Sequence, residues 1–403
     1  MTRSAHMERL QEQIMERMDL SREIEDGELV ELIYQVLEEY TKDRYLPLKT
    51  KMEFGKDLFN SFRKLDILQE LLEDDGITEI MINGLENIFV EKEGRIRQHE
   101  KRFASKKKLE DIAQQIASGC NRTVNEADPI VDARLPDGSR VNLVLPPVAL
   151  NGPIITIRKF PQEGITMQRL VSWGSITQEA AEFLKKLVKA KYNMFISGGT
   201  GSGKTTFLNA LSQFIPEDER IITIEDNAEL RLQSLPNLVS LEARNANMEG
   251  EGEITIRELI RTALRMRPDR VVVGEVRGAE TIDMLQAMNT GHDGSLSTGH
   301  SNSPKDMISR LETMVLMGME IPIEAVQRQI ASGIDIIIHL GRLRDKSRKV
   351  LEILEITGYE NGEIQMHTLY GFEETGKKHG KVRGCLVKKD ELQKKEKLLA
   401  AGF

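Results

Sequence analysis

Between Ile24 and Tyr40 the apolar residues Leu29, Leu32, Ile33, Val36, Leu37 and Tyr40 recur at the spacing of a single helix face. The stripe predicts a helical N-terminal extension over residues 1–60, packed on its own chain or on a neighbour. From about Phe62 the period changes. A short helix over Leu65–Leu72 precedes strands near Ile77–Ile82 and Ile88–Val90, and a helix over Lys107–Ala117 follows. Asp137-Gly138 sits between two alternating runs, Val131–Leu135 and Arg140–Leu145, which is a hairpin signal; Ile154–Arg158 adds a strand. Residues 61–160 therefore read as a small α+β domain. Residues 161–176, broken by Pro161, Gly164 and Gly174, read as a linker.

From about Thr177 strands and helices alternate. One helix leads to the apolar run Met194-Phe195-Ile196. Strands follow at Ile221–Glu225, Leu238–Leu241, Val271–Val273 and Ser295–Thr298, with helices over Ile254–Met266, Glu280–Met288 and Pro304–Met317. This alternation predicts an α/β fold with a mainly parallel sheet covered on both faces and a ligand beyond the strands' carboxyl ends. Val350–Ile356 and Glu363–Leu369 flank Glu360-Asn361-Gly362 and predict an antiparallel hairpin at the sheet edge. The α/β domain spans 177–372, and 373–403 reads as a Lys-rich C-terminal tail.

At 403 residues the chain has room for two or three domains. Its 39% hydrophobic and 30% charged residues are ordinary for a soluble protein. Apolar runs such as Ile336-Ile337-Ile338 are far too short to cross a bilayer, and no apolar segment follows the N-terminal charges, so a cytoplasmic protein is expected. A net charge of -8 argues against a general nucleic-acid binder. Lys106-Lys107-Lys108 reads as a solvated helix face and the stretch from Lys377 to Lys397 as a mobile tail. Cys120 and Cys385 belong to no CxxC pair, which suggests a reducing compartment and no zinc site.

Chemistry concentrates at Gly198-Gly199-Thr200-Gly201-Ser202-Gly203-Lys204-Thr205-Thr206, between an apolar strand and a helical run. Glycines let backbone N–H groups converge on an anion, and the helix start adds partial positive charge. Lys204 supplies charge near the β- and γ-phosphates, and Thr205 is placed to ligate Mg²⁺. Three other stretches gain meaning beside this loop. Val271-Val272-Val273-Gly274-Glu275 ends a strand in a carboxylate suited to the metal and its waters. Ile221–Glu225 runs into Asp226, Asn227, Ala228 and Glu229, a carboxylate cluster able to hold a water for in-line attack. Thr290-Gly291-His292-Asp293-Gly294-Ser295 and Thr298-Gly299-His300 place histidines at both ends of one strand, where they could read the γ-phosphate or meet a neighbouring subunit. One lysine rarely suffices in the transition state; Arg134, Arg140 and Arg158 of the α+β domain become a clamp if that domain closes over the nucleotide.

Together these stretches resemble the secretion ATPase superfamily, the hexameric motors of type II and type IV secretion and of type IV pili. The match lies in the Walker A loop Gly198–Thr205, the Asp box Glu225–Glu229, the Walker B strand ending at Glu275, the His box His292–His300, and Arg265-Met266-Arg267-Pro268-Asp269-Arg270. It covers residues from about 62 to 360. Within the superfamily the chain looks closest to the CpaF-like motors of Tad pilus assembly, through Leu135-Pro136-Asp137-Gly138-Ser139-Arg140, Glu249-Gly250-Glu251-Gly252 and Gly274-Glu275-Val276-Arg277-Gly278. Two cysteines cannot make the four-cysteine zinc motif of classical type II and pilus-extension motors, and Asn227 stands where their Asp box commonly has proline. The branch usually has an apolar residue where Gly299 stands, which leaves the placement of His300 open.

The resemblance implies a RecA-like P-loop motor domain preceded by a smaller, PAS-like α+β domain. It implies ATP and Mg²⁺ as cofactors, with Gly198 to Thr206, Glu225 and His300 around the nucleotide and Thr205 and Glu275 at the metal. Glu229 would activate water, Glu275 would hold the metal's water shell, Lys204 would bind phosphate, and Arg140 and Arg158 would address the γ-phosphate. It further implies a homo-hexamer peripheral to the inner membrane, partnered by a platform protein, with no nucleic acid. A nucleic-acid translocase on the same core, which DNA would stimulate, is the alternative; a scaffold that does not turn over sits poorly with intact Lys204, Glu229 and Glu275. A GTPase lacks its Asn/Thr-Lys-x-Asp segment here.

Overall fold

The computed structural model describes residues 3–18, 22, 24–42, 46–92, 94–159, 164–232, 235–244, 251–378 and 380–403. Glu249 and Gly250 of the expected branch signature, and residues 161–163 of the expected linker, lie outside them. The chain divides into two compact units, residues 1–162 and 163–403.

The N-terminal unit begins with helices α1 (Arg3–Arg17), α2 (Asp26–Tyr40) and α3 (Leu48–Arg63). The α2 stripe meets its own chain: Leu29, Ile33, Val36 and Leu37 pack with Leu10 and Ile14 of α1 and Phe54 and Leu58 of α3. Periodicity revealed α2 alone, because α1 and α3 are more polar along their length and α3 buries Gly55, Asn60 and Ser61 beside Phe54 and Leu58. Helix α4 (Ile67–Glu73) leads into strands β1 (Ile77–Asn83), β2 (Ile88–Lys92) and β3 (Arg95–Gln98), helix α5 (Lys106–Gly119), and strands β4 (Ile130–Arg134), β5 (Arg140–Val144) and β6 (Ile154–Arg158). The six-stranded sheet has the order β3-β2-β1-β6-β5-β4. Ser105 caps α5 by accepting from the Lys108 N–H at 3.1 Å, and Leu109, Ile112 and Ile116 cover Ile80, Ile82, Leu143, Ile155 and Ile157 on one sheet face. Strand β3 escaped sequence reading because all four of its residues are exposed.

The C-terminal unit opens with α6 (Met167–Ser172), a helix inside the expected linker, capped by Thr166. It continues through α7 (Gln178–Lys189), β7 (Met194–Gly198), α8 (Lys204–Ser212), β8 (Ile221–Glu225), β9 (Leu238–Glu242), α9 (Ile256–Ala263), β10 (Arg270–Val273), α10 (Thr281–Asn289), β11 (Leu296–His300), α11 (Pro304–Gly318), α12 (Ile323–Gly333) and β12 (Ile336–Arg342). Strands β13 (Arg348–Glu360), β14 (Glu363–Lys378) and β15 (Lys381–Lys388) and helix α13 (Glu396–Ala400) complete it. The nine-stranded sheet runs β15-β14-β13-β12-β7-β11-β10-β8-β9, parallel from β12 to β9 and antiparallel from β12 to β15. Hydrophobic cores lie on both faces, which is why β7, β8 and β10 are buried along their whole length.

The parallel sheet and the hairpin at Asn361-Gly362 agree with the sequence reading; the hairpin is not the sheet edge, because β15 pairs outside β14. The expected tail does not stay a tail: residues 373–388 extend β14 and form β15, and Leu392 is buried in the core beneath α7. In β15 only Val382 and Leu386 are buried, between the exposed Lys381, Arg383, Cys385 and Lys388, so the inward positions are too few to show a strand period.

Candidate nucleotide-binding site

Strand β7 lies at the centre of the parallel sheet and ends where the glycine loop begins. Gly198 has φ +156°, and a Cβ there would lie 2.4 Å from the Leu340 carbonyl oxygen and 2.7 Å from Ser202 Oγ, so a side chain is excluded. Gly203, at φ +94°, is the N-cap of α8 in the left-handed region that glycine adopts without strain. These turns wrap the backbone into a concavity that ends on the α8 N-terminus, an arrangement suited to an anion. Lys204 is 8% exposed. Its three donors reach the Gly198 carbonyl at 3.2 Å, the Gly199 carbonyl at 3.4 Å and His300 Nδ1 at 3.0 Å. Burial lowers its pKa, against the pull of the Glu275 and Glu229 carboxylates.

His300 closes β11, paired in register with Gly198. It accepts from Lys204 at Nδ1, while Nε2 lies 2.9 Å from Glu275 Oε1. Burial first, and the Lys204 charge second, lower its pKa, so the imidazole is held neutral. Glu275 Oε2 is gripped by Arg277, at 2.8 Å from Nε and 2.6 Å from Nη2. Glu275 Oε1 is buried without a hydrogen-bond partner among the described residues, because the short approach of His300 lacks hydrogen-bond geometry. The Thr298 hydroxyl donates to the Gly274 carbonyl at 2.8 Å and ties β11 to the end of β10. Gly299 has a packing reason: a Cβ there would lie 2.9 Å from Phe195 Cζ. A larger residue would push the β7 ring away, and with glycine there His300 sits at the loop.

Glu225, at the end of β8, is buried. Its carboxylate accepts from the backbone N–H groups of Glu229 at 2.8 Å and Leu230 at 3.1 Å, which shapes the loop that carries Glu229. Gly274 makes room for it, since a Cβ there would lie 2.8 Å from Glu225 Cγ. Asn209 of α8 holds the same loop from the other side: its Oδ1 accepts from the Arg231 N–H at 2.8 Å, and its Nδ2 donates to the Glu229 carbonyl at 3.4 Å. The Glu229 carboxylate acts on both Lys204 and Arg277 electrostatically.

The structure thus brings Lys204, Glu275, His300 and the Glu225–Glu229 loop to one end of the sheet. His292 is separated from them, because it precedes the amino end of β11, opposite the glycine loop. In the N-terminal unit, Arg134 pairs with Arg140 across β4 and β5, and Arg140 with Arg158 across β5 and β6. Partners directly opposite one another share a sheet face, so the three guanidinium groups form one row on the face away from α5. Sequence reading missed the positioning by Asn209, the Arg277 grip, and the buried pair of Ser197 Oγ with His339 Nδ1 at 2.9 Å. Arg277 falls within the Gly274–Gly278 motif; nothing in spacing announced the other two.

A divalent cation suits the donors present. Thr205, in the first turn of α8, and the unpartnered Glu275 Oε1 are hard oxygen groups of the kind Mg²⁺ takes alongside phosphates and water. No three His, Cys, Asp or Glu side chains form a metal cage among the described residues. No helix among them is long and apolar enough to cross a membrane.

Residues 62–397 match the family model described as Type II/IV secretion system protein. A Mycobacterium tuberculosis protein named as a putative conjugal transfer protein is 38% identical over 310 residues, 75% of this chain and 87% of its own. The type IV secretion system protein VirB11 of Brucella abortus is 32% identical over 303 residues, 68% of this chain and 84% of its own. The X-ray structure of the Yersinia pseudotuberculosis ATPase DotB covers 78% of this chain and 82% of its own, with a TM-score of 0.54 at 18% identity, a likeness of fold.

Proposed function

The chain belongs to the type II/IV secretion system protein family, and we propose that it is a Mg²⁺-dependent ATPase motor that powers pilus assembly or protein secretion, of the CpaF-like kind. The observation that carries this reading is the Lys204–His300–Glu275 chain laid across the glycine loop. On binding, Lys204 exchanges two neutral carbonyls and an imidazole for phosphate oxygens, a stronger charge-assisted partner. His300, neutral and poised between Lys204 and Glu275, then reports to Glu275 whether a phosphate is present. Bound Mg²⁺ would neutralise charge on the phosphates. Thr205 and Glu275 would hold that ion and its waters, with the Glu275 carboxylate oriented by Arg277. Glu229, set in place by Glu225 and Asn209, orients the attacking water and takes its proton. Arg140 and Arg158 supply the positive charge that the γ-phosphate gathers in the transition state.

The CpaF-like assignment draws on Leu135–Arg140, Glu251-Gly252 and Gly274–Gly278, together with the lack of a four-cysteine zinc motif in the sequence. With it come a PAS-like N-terminal domain, a homo-hexamer and a cytoplasmic site beside an inner-membrane platform protein. Net charge -8 speaks against a nucleic-acid track. Full-chain Glu229→Gln and Arg140→Ala test these roles by nucleotide titration and steady-state ATPase assay. Both variants are expected to bind ATP while turnover drops by about 10²–10⁴-fold for Glu229→Gln. Unchanged turnover in Glu229→Gln removes it as the water activator, and stimulation of the wild type by DNA favours the translocase.

A further inference from the structure

Strand β12 runs parallel to β7, and their last paired residues are Leu340 and Gly198. Two more residues continue β12 to Arg342, so the strand overhangs the glycine loop. There it pairs with β13, and Arg342 stands directly opposite Arg348. Like charges opposite one another on antiparallel strands repel, and the arrangement is destabilising unless something neutralises it. Neither guanidinium has an acidic partner within ion-pairing distance among the described residues; the neighbouring Arg344 has Glu374, at 2.7 Å. The pair instead borders the loop. Arg348 Nε donates to the Gly201 carbonyl at 2.8 Å. A Cβ on Gly203 would lie 3.4 Å from Arg348 Cδ, and one on Gly201 would lie 3.9 Å from Arg342 Nη1.

We propose that Arg342 and Arg348 are phosphate-binding residues of the C-terminal unit, directed at the diphosphate that ATP and ADP share. The proposal rests on the nucleotide-site reading and deepens it. Backbone N–H groups of a glycine loop cradle the α- and β-phosphates, while the loop lysine reaches toward the γ-phosphate. Cations bordering Gly201 and Gly203 are therefore placed for the phosphates that remain after hydrolysis. Arg348 acts in two ways. Its Nε fixes the Gly201 carbonyl outward, which turns the loop's N–H groups toward the ligand, and its remaining donors face the ligand's charge. A bound diphosphate would cancel the repulsion between the two arginines, so part of the binding free energy comes from relief of a strain present in the free chain. The division of labour that follows is testable. Arg342 and Arg348 govern how tightly nucleotide is held, and the arginine row of the N-terminal unit governs how fast it is cleaved.

The experiment is calorimetric titration of the full chain with Mg-ADP, beside ATPase kinetics and melting of the free protein, for wild type, Arg342→Gln, Arg348→Gln and Arg348→Lys. Each Gln variant should weaken ADP binding by about tenfold, the scale of one charge-assisted hydrogen bond, and lower kcat/KM through KM. The free Arg342→Gln chain should melt at the wild-type temperature or higher, because it removes the repulsion without removing the Arg348–Gly201 bond. Arg348→Lys should recover most of the affinity. Unchanged ADP affinity in both Gln variants overturns the proposal, as does a fall in kcat at unchanged KM. A lower melting temperature of the free Arg342→Gln chain reduces that arginine to a structural brace and overturns it too, and an Arg348→Lys chain as weak as Arg348→Gln overturns the phosphate contact of Arg348. If wild type takes up no ADP, it is the nucleotide-site reading that fails.

Discussion

His339 is only 5% exposed, in the strand next to the glycine loop, and its ring meets the Ser197 hydroxyl. Burial pushes its pKa below the usual value near 6.5, opposed by a backbone contact at Asn302 and the more distant Asp306 carboxylate. The unfolded chain therefore binds a proton below about pH 6.5 that the folded chain resists, and this contribution to stability is lost as pH falls from there through the folded pKa. His339→Gln should lose less melting temperature than wild type between pH 7.5 and 5.5, about the range where an imidazole titrates. Equal losses in thermal melts would show that the folded chain takes up this proton as readily as the unfolded one. At this scale the sequence was legible where a residue's position is set by its chain neighbours. Lys204 follows from its loop and Glu275 from its strand end. The Ser197–His339 pair, the Asn209 tether and the Gly299–Phe195 fit were not legible, because each joins residues that only the sheet order brings together.

Elements tell the same story through the C-terminal segment. Its lysines read as solvated, yet the chain after β15 is held at the amino end of the parallel strands. The Glu355 carboxylate of β13, 1% exposed, accepts from the Gln393 N–H at 2.8 Å and the Lys394 N–H at 2.7 Å. Lys397 bridges Asp293 and Asp335, each at 2.8 Å, and the Tyr192 hydroxyl donates to the Lys394 carbonyl at 2.6 Å. Glu355→Ala removes the acceptor of two backbone donors and is expected to cost about 2–4 kcal/mol, read from the denaturant midpoint. A midpoint shift under roughly a tenth of that would mean that water replaces the carboxylate without loss. A single Glu inside Leu354-Glu355-Ile356 carries no sign of this anchoring in sequence. The hairpin did announce itself, since Asn361-Gly362 sits between alternating strands.

For the molecule as a whole, the alternation of strands and helices exposed the parallel sheet, and the change of period exposed the separate antiparallel sheet before it. The helical start was only partly visible, because α1 and α3 are polar along most of their length and their few apolar residues find a core only by packing on α2. Each unit carries a core of its own; a lysine, carboxylates and a histidine surround the glycine loop of the C-terminal unit, and a row of arginines crosses β4, β5 and β6 of the N-terminal unit. Phosphate release from Mg-ATP by the full chain, measured for wild type beside Lys204→Ala, is the most direct test of whether this distribution is a nucleotide engine. Steady release by wild type that falls at least about a hundredfold in Lys204→Ala is predicted; release that survives the loss of Lys204, or no release from wild type with bound ATP, would contradict it.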